Sequence, residues 1–302
     1  MYDKALPPVK PTPGAAWRLT VSDSMEGNWL GVRNLDRRYV YGSKLADQRY
    51  RANGYCRVHM PSIPRAGSTW FRTMFEVATG RPTASVWPEG GRQDAARRYH
   101  IVDGHACGAN PAQMEGNKLP RGAPPCRNLT APAPDDPVLM KSHTPFFPSY
   151  DRPALDPGAT CAVLLIVRNP LDAHDAWRRY AGGTAEPLRK WLPVWAGHLT
   201  HWVADTRDLP IIAFRYEDLL WRADKVLEQV LRALGPGWEW SRESIERAVR
   251  TYGPREPFED KCGKAIPHYT LAEVEMVRKH YAGLLGRFGY AIEGAGGAAP
   301  PQ

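Results

Sequence analysis

Short continuous apolar runs alternate along this chain with runs of helical period. Cys56–Met60 reads as a first strand. Phe71, Met74, Phe75 and Ala78 fall at i, i+3, i+4 and i+7, which predicts an amphipathic helix over Phe71–Thr79, stopped by Gly80 and Pro82. Val138-Leu139-Met140 predicts a short buried strand, and Ile211–Phe214 another. Thr160–Val167 (TCAVLLIV) is the strongest strand pattern, and its unbroken apolar character predicts a central parallel strand covered on both faces. Pro170 opens a helix over Leu171–Tyr180. Asp224–Leu234 predicts a further helix on Val226, Leu227, Val230, Leu231 and Leu234, ended by Gly235-Pro236. Thr270–Glu273 is a capping box for a last helix, with Val274, Val277, Tyr281, Leu284, Leu285 and Phe288 on one face and Gly289 as its stop. Strands alternating with helices predict an α/β fold: a three-layer sandwich with a central parallel sheet flanked by helices.

Other stretches lack a clean period. Residues 1–52 are rich in Pro and charge and read as an irregular N-terminal arm, residues 53–292 as one domain, and 293–302 as a flexible tail. Within the domain, 81–136 reads as a loop-rich insert marked by Gly90-Gly91 and Pro124-Pro125. Trp191, Trp195 and Trp202 are read as core.

Chemistry gathers where predicted strands end, the place where ligands sit in such sheets. Between the first strand and its helix lies Pro64-Arg65-Ala66-Gly67-Ser68-Thr69-Trp70, a P-loop-like turn. First-turn N–H groups and the helix dipole favour an anion there. Gly67 permits close approach, Ser68 and Thr69 offer hydroxyls, Arg65 offers a fork of donors, and Trp70 an indole for a base. The alternative is a turn capped by Ser68 or Thr69 with Trp70 in the core. A Walker A motif is excluded, because position 62 is Ser and no Lys follows Gly67. Lys141-Ser142-His143-Thr144-Pro145 follows the second strand: His143 suits a general base and Lys141 charge stabilisation. The central strand ends in Arg168-Asn169-Pro170-Leu171-Asp172, a cation where a Walker B strand carries an Mg²⁺-binding carboxylate. The plainer reading pairs Arg168 with Asp172. Tyr216-Glu217-Asp218-Leu219 follows the strand at 211–214; Tyr216 could reach a base edge, whereas Glu217 and Asp218 read as ordinary acidic residues of a helix start.

Composition changes this picture little. The chain has 302 residues, 43% hydrophobic content and a formal charge of +8. No apolar run approaches the ~20 residues of a membrane span, so no transmembrane segment is expected. The N-terminus does not resemble a signal peptide. A basic surface suits polyanions, but no nucleic-acid motif accompanies it, so no nucleic-acid partner is expected. Cys56, Cys107, Cys126, Cys161 and Cys262 form no C-x-x-C pair, and no metal site is expected. Cys107 and Cys126 could staple the insert, and Asn128-Leu129-Thr130 is a glycosylation sequon; together they favour a Golgi or secretory lumen over the cytoplasm.

The order P-R-A-G-S-T-W, K-S-H-T-P, L-L-I-V-R-N-P-L-D and Y-E-D-L-L resembles the sulfotransferases that use 3′-phosphoadenosine 5′-phosphosulfate, in the flavour of the domains associated with WSC-type proteins. Trp70-Phe71-Arg72, Ala78-Thr79-Gly80, Trp195, His198, Trp202 and Phe288-Gly289-Tyr290 add to it, and it spans roughly residues 53–292. The resemblance implies a sulfotransferase with that nucleotide as sulfuryl donor, no metal, and a small-molecule or glycan acceptor. It implies that Arg65, in place of the family's usual Lys, holds the 5′-phosphosulfate with Ala66, Gly67, Ser68 and Thr69. It further implies that Trp70 stacks on adenine, His143 is the base, Lys141 its electrostatic partner, Arg168 a 3′-phosphate ligand and Tyr216 an adenine contact. Two departures stand out. Ala176 replaces a Ser expected to bind the 3′-phosphate, behind an Asp175 that would repel it. A C-terminal basic loop is altered, with Arg255, Lys261 and Lys264 around Cys262-Gly263. The rivals are a P-loop-type nucleotide or small-molecule kinase, and a catalytically silent module that binds acidic glycans.

Overall fold

A computed structural model describes residues 17–21, 57–81, 83–85, 99–102, 105–107, 127–128, 139–143, 160–182, 185–204, 211–234, 238–254 and 261–294. Cys126, Thr130, Thr144, Pro145 and Arg255 lie outside these residues, and with them the insert's staple and sequon.

The strands are β1 (Trp17–Val21), β2 (Arg57–Pro61), β3 (Thr83–Ser85), β4 (Tyr99–Val102), β5 (His105–Cys107), β6 (Arg127–Asn128), β7 (Leu139–Ser142), β8 (Thr160–Val167), β9 (Ile211–Arg215) and β10 (Tyr290–Gly294). The helices are α1 (Ser68–Thr79), α2 (Pro170–Tyr180), α3 (Leu188–Ala204), α4 (Tyr216–Leu234), α5 (Arg242–Tyr252), α6 (Leu271–His280) and α7 (Ala282–Arg287). The main sheet has eight strands in the order β6-β5-β4-β3-β7-β2-β8-β9. From β4 to β9 every neighbouring pair is parallel, and β5 and β6 extend one edge antiparallel. The expected α/β architecture with a central parallel sheet is therefore present.

Burial explains the arrangement. Ala162 to Val167 of β8 are all buried between β2 and β9, as a strand covered on both faces requires. Helix α1 buries Phe71, Met74, Phe75 and Ala78, the face its period predicts. Each such large side chain contributes about 1.5–3 kcal/mol on burial. Trp191 and Trp195 belong to the same core, and Trp202 packs against it half-buried.

Several elements differ from the sequence reading. The arm at 1–52 contributes β1, which pairs antiparallel with β10 at the far end of the domain. The insert contributes β3 to β6. Helix α4 starts at Tyr216, eight residues before the apolar stripe makes it visible, and bends at Arg222 (φ −149°, ψ 52°). The last predicted helix is two, α6 and α7, with Tyr281 closing one and opening the other.

The start of α4 carries Glu217 and Asp218 in its first turn, as the plain reading has it, but both are interior groups. Glu217 and Asp218 are 1% and 3% exposed. Asp218 takes both arms of the fully buried Arg215, from Nε at 2.8 Å and from Nη2 at 3.0 Å, while Arg215 Nη1 donates to the Phe288 carbonyl at 3.2 Å. This bidentate pair staples the end of β9 to the C-terminal segment. Breaking a buried pair from one side strands a charge. Asp218→Asn is therefore expected to lower unfolding free energy by about 3–5 kcal/mol in urea titration, whereas an apolar Arg215→Met/Asp218→Leu pair loses less.

Candidate functional site

The parallel order β7-β2-β8 sets the ends of these strands side by side. The loop Pro64–Gly67 leaves from beyond β2, Lys141 and His143 lie at the end of β7, and Arg168 follows β8. The sequence motifs thus meet because neighbouring parallel strands end on the same edge.

The loop is shaped by its backbone. Arg65 has φ +67° and Gly67 φ +92°. Gly67 is the N-cap of α1 and supplies no capping side chain, so neither Ser68 nor Thr69 caps the helix in the manner of the alternative reading. The first-turn amides of α1 are thereby left facing the loop. A Cβ on Gly67 would lie 2.5 Å from Cδ2 of Tyr216, so the aromatic ring seals the back of the loop against it.

Tyr216 organises the cationic side. The Arg168 guanidinium lies over its ring at 4.0 Å and donates from Nη1 to the Arg65 carbonyl at 2.8 Å. Trp70 meets Tyr216 edge-on at 5.7 Å and donates its indole N–H to the Tyr252 carbonyl at the end of α5. Buried Nε of Arg168 has no hydrogen-bond partner among the described residues. The Arg65 side chain is exposed and lies over the Tyr180 ring at 5.0 Å, at the end of α2. Buried Lys141 reaches Thr69 Oγ1 from Nζ at 3.4 Å.

His143 is buried and donates Nδ1–H to the Ser62 carbonyl. A carbonyl can only accept, so this contact fixes the proton on Nδ1 and places the lone pair of the neutral ring on Nε2. Behind it lie other imidazoles. His59 Nε2 contacts Ser142 Oγ at 2.6 Å, and its ring meets Trp202 edge-on at 4.9 Å. Burial pushes His59 down to about 3. Burial, with repulsion from His143, His201 and His59, pushes His198 down to about 3 as well.

Arg168 is not paired with Asp172, as the plainer sequence reading had it. Asp172 instead accepts from Asn169 Nδ2 at 2.6 Å, from the Gly263 amide at 2.7 Å and from the Ala265 amide at 2.9 Å. The altered C-terminal loop is thus fastened beside the end of β8, with Lys261 half-buried, Lys264 exposed and Cys262 a buried free thiol. Asp175 is buried too; Arg178 at 3.3 Å and Arg179 at 3.0 Å meet its charge, and His268 Nδ1 lies 3.0 Å from its Oδ1. Ala176 beside it is half-buried.

Sequence reasoning missed several supporting residues. Trp195 donates its indole N–H to the Arg168 carbonyl at 3.1 Å, which ties the core to the cation-bearing turn. Glu217 accepts from the Asn169 amide at 3.1 Å, from Asn169 Nδ2 at 3.0 Å and from the Tyr290 hydroxyl. Burial pushes its carboxyl up, and the Tyr290 hydrogen bond opposes that. The sequence signal was an Asn three residues before an acidic one at a helix start, which gives no partner from other segments. Among the described residues, no group of His, Cys, Asp and Glu could hold a metal ion.

In sequence, no family profile and no curated protein matches the chain. Among solved structures, the chain is similar to mouse sulfotransferase SULT7A1 complexed with PAP, at a TM-score of 0.49 and 14% identity over 82% of this chain and 91% of that one.

Gly67→Ala would force both a positive φ and a ring collision on a side chain, and is expected to lower stability by about 1–3 kcal/mol in thermal unfolding; adding Tyr216→Ala should return part of the loss. Acid should also destabilise the fold. His59 and His198 have folded values near 3 against 6.5 unfolded. The unfolded chain therefore binds more protons between those limits, and stability falls as pH drops below about 6.5, by up to about 1.4 kcal/mol per pH unit for each ring. Urea titrations at pH 7, 6 and 5 check this, and His198→Asn should flatten the slope.

Proposed function

We propose that the chain is a sulfotransferase that moves a sulfuryl group from 3′-phosphoadenosine 5′-phosphosulfate to a hydroxyl or amine acceptor. The observation that carries this reading is the set of groups at the ends of β7, β2 and β8: Lys141 and His143, an uncapped helix N-terminus behind Gly67, and Arg168. A carboxylate for Mg²⁺, which phosphoryl transfer would require, does not stand at the end of β8.

The residues present fit a nucleotide with phosphates at both ends of its ribose. Arg168 has a buried Nε donor without a partner among the described residues, and the α1 amides offer the kind of cradle an anion takes. Arg65 has a long side chain stacked on the exposed phenol of Tyr180, from which it can turn to the loop at a cost of about 0.5–1 kcal/mol. Trp70 and Tyr216 form an aromatic corner beside these cations for the base. The donor would supply an activated sulfuryl group.

The chain's own residues would do the rest. His143, with Nδ1–H held by the Ser62 carbonyl, takes the acceptor proton on Nε2. The acceptor oxygen or nitrogen forms its bond to sulfur as the sulfur–oxygen bond to the donor's phosphate breaks, and the electron pair leaves on that phosphate. Lys141, Arg65 and the loop amides stabilise the charge developing there. The products are the sulfated acceptor, the bisphosphorylated nucleoside and protonated His143, which returns its proton to water.

His143→Ala is expected to lower turnover about 10²–10⁴-fold while the dissociation constant for 3′-phosphoadenosine 5′-phosphate stays within about twofold, measured by kinetics and calorimetry. Near-normal turnover would remove His143 as base. Calorimetric titration with that bisphosphate against Mg·ATP tests the nucleotide class: tighter binding of Mg·ATP would replace this reading with a kinase, and binding of heparin alone with a silent glycan module.

A further inference from the structure

Ser62 was notable in the sequence only as the residue that spoils a Walker A motif. In the fold it is fully buried and uses every polar group it has. Its amide donates to the Ser142 carbonyl at 3.0 Å, which carries the contact with the last residue of β7 one residue past the end of β2. Its carbonyl accepts from His143 Nδ1. Its hydroxyl donates to Ser68 Oγ at 3.0 Å, in the first turn of α1. One residue therefore touches both the phosphate loop and the imidazole.

We infer that Ser62 is a positioning residue that fixes the phosphate loop and His143 in register with each other; the inference rests on the sulfotransferase reading above. Two directions of donation give it content. Because the Ser62 hydroxyl donates to Ser68, the oxygen of Ser68 is occupied on that side and its own hydrogen is directed elsewhere, as a donor suited to a phosphate oxygen. Because the Ser62 carbonyl accepts from His143, the imidazole proton sits on Nδ1 and the basic nitrogen is Nε2. Ser68 is 4% exposed and His143 5%, so water has little access to take over either contact. A slack Ser62 would let loop and base drift separately, and misplacement of reacting groups is felt in turnover more than in binding.

The test compares Ser62→Ala, Ser62→Thr and Ser62→Cys with the unaltered chain and with Ser68→Ala. Ser62→Ala removes the hydroxyl and keeps the backbone contacts. Loss of one such hydrogen bond corresponds to a fall in kcat of about 3–10-fold, with the calorimetric dissociation constant for 3′-phosphoadenosine 5′-phosphate changing less than kcat and the binding stoichiometry unchanged. Ser62→Thr, which keeps the hydroxyl, should restore turnover. Ser62→Cys, a weaker donor of similar size, should fall between and carries the test if the alanine variant does not fold. The double variant Ser62→Ala/Ser68→Ala should lose no more turnover than Ser68→Ala alone, because both act through one contact. Unchanged kcat in Ser62→Ala, additive losses in the double variant, or no rescue by Thr would overturn the inference. A fall in binding stoichiometry matching the fall in kcat would also overturn it, since that is the mark of a merely structural role. If the unaltered chain binds no bisphosphate and transfers no sulfuryl group, the functional reading itself falls, which is a separate result.

Discussion

The end of β8 depends on the burial of one amide side chain between two carboxylates. Asn169, 1% exposed, donates to Asp172 and to Glu217 and caps α2 by accepting the Asp172 amide at 2.9 Å. Each carboxylate then reaches a different part of the chain: Asp172 holds the amides of Gly263 and Ala265, and Glu217 holds the Tyr290 hydroxyl. A buried carboxylate costs several kcal/mol to desolvate unless hydrogen bonds compensate it, on the order of the whole stability of a domain. The two are therefore tolerable only with every one of these segments in place. That requirement makes the tip of β8, the start of α2, the 263–265 turn and β10 one rigid unit.

This unit separates two kinds of charge. The carboxylates of Asp172, Glu217 and Asp218 face inward and are consumed by amides, a phenol and Arg215. The cations gather around the N-terminus of α1, with Lys141 buried against Thr69, Arg168 half-buried on the Arg65 carbonyl and Arg65 exposed. Asp175, which reads as a source of repulsion, is offset by Arg178 and Arg179. The acids near these cations thus spend their acceptor capacity on amides, a phenol and arginines of the scaffold, and Arg168 is left to the loop. Tyr216 marks the boundary, with Gly67 packed on its ring and Arg168 stacked over it.

Much of this was legible in the residues, and the gaps have physical causes. The loop at 64–70, the strand ends at Lys141 and Arg168, and the apolar face of α1 were visible because they are local: period, turn chemistry and strand termination act within about a helical turn. The short strands β3 to β6 and the terminal β1 and β10 were not, because two to five residues carry too little pattern, and pairing partners stand far away in sequence. Glu217 and Asp218 do stand in the first turn of α4, but their burial was not legible. Acidic residues in a first helical turn usually face water, and only the approach of Arg215, Asn169 and Tyr290 from other elements makes them interior groups. Ser62 was legible as an exclusion and not as a contact, since its partners at 68, 142 and 143 gather only when β2 and β7 pair.

By itself the sequence determined the fold class and the order of the motifs along the chain, because side-chain character and periodicity are properties of short stretches. The tertiary structure decided which groups share a site and in what state: that Ser62 fixes the tautomer of His143, that Arg168 lies on Tyr216 with Asp172 engaged elsewhere, and that Trp195 supports the Arg168 carbonyl. Those outcomes depend on desolvation and on distances between segments up to about a hundred residues apart, as with Arg65 and Arg168, and no local pattern encodes either.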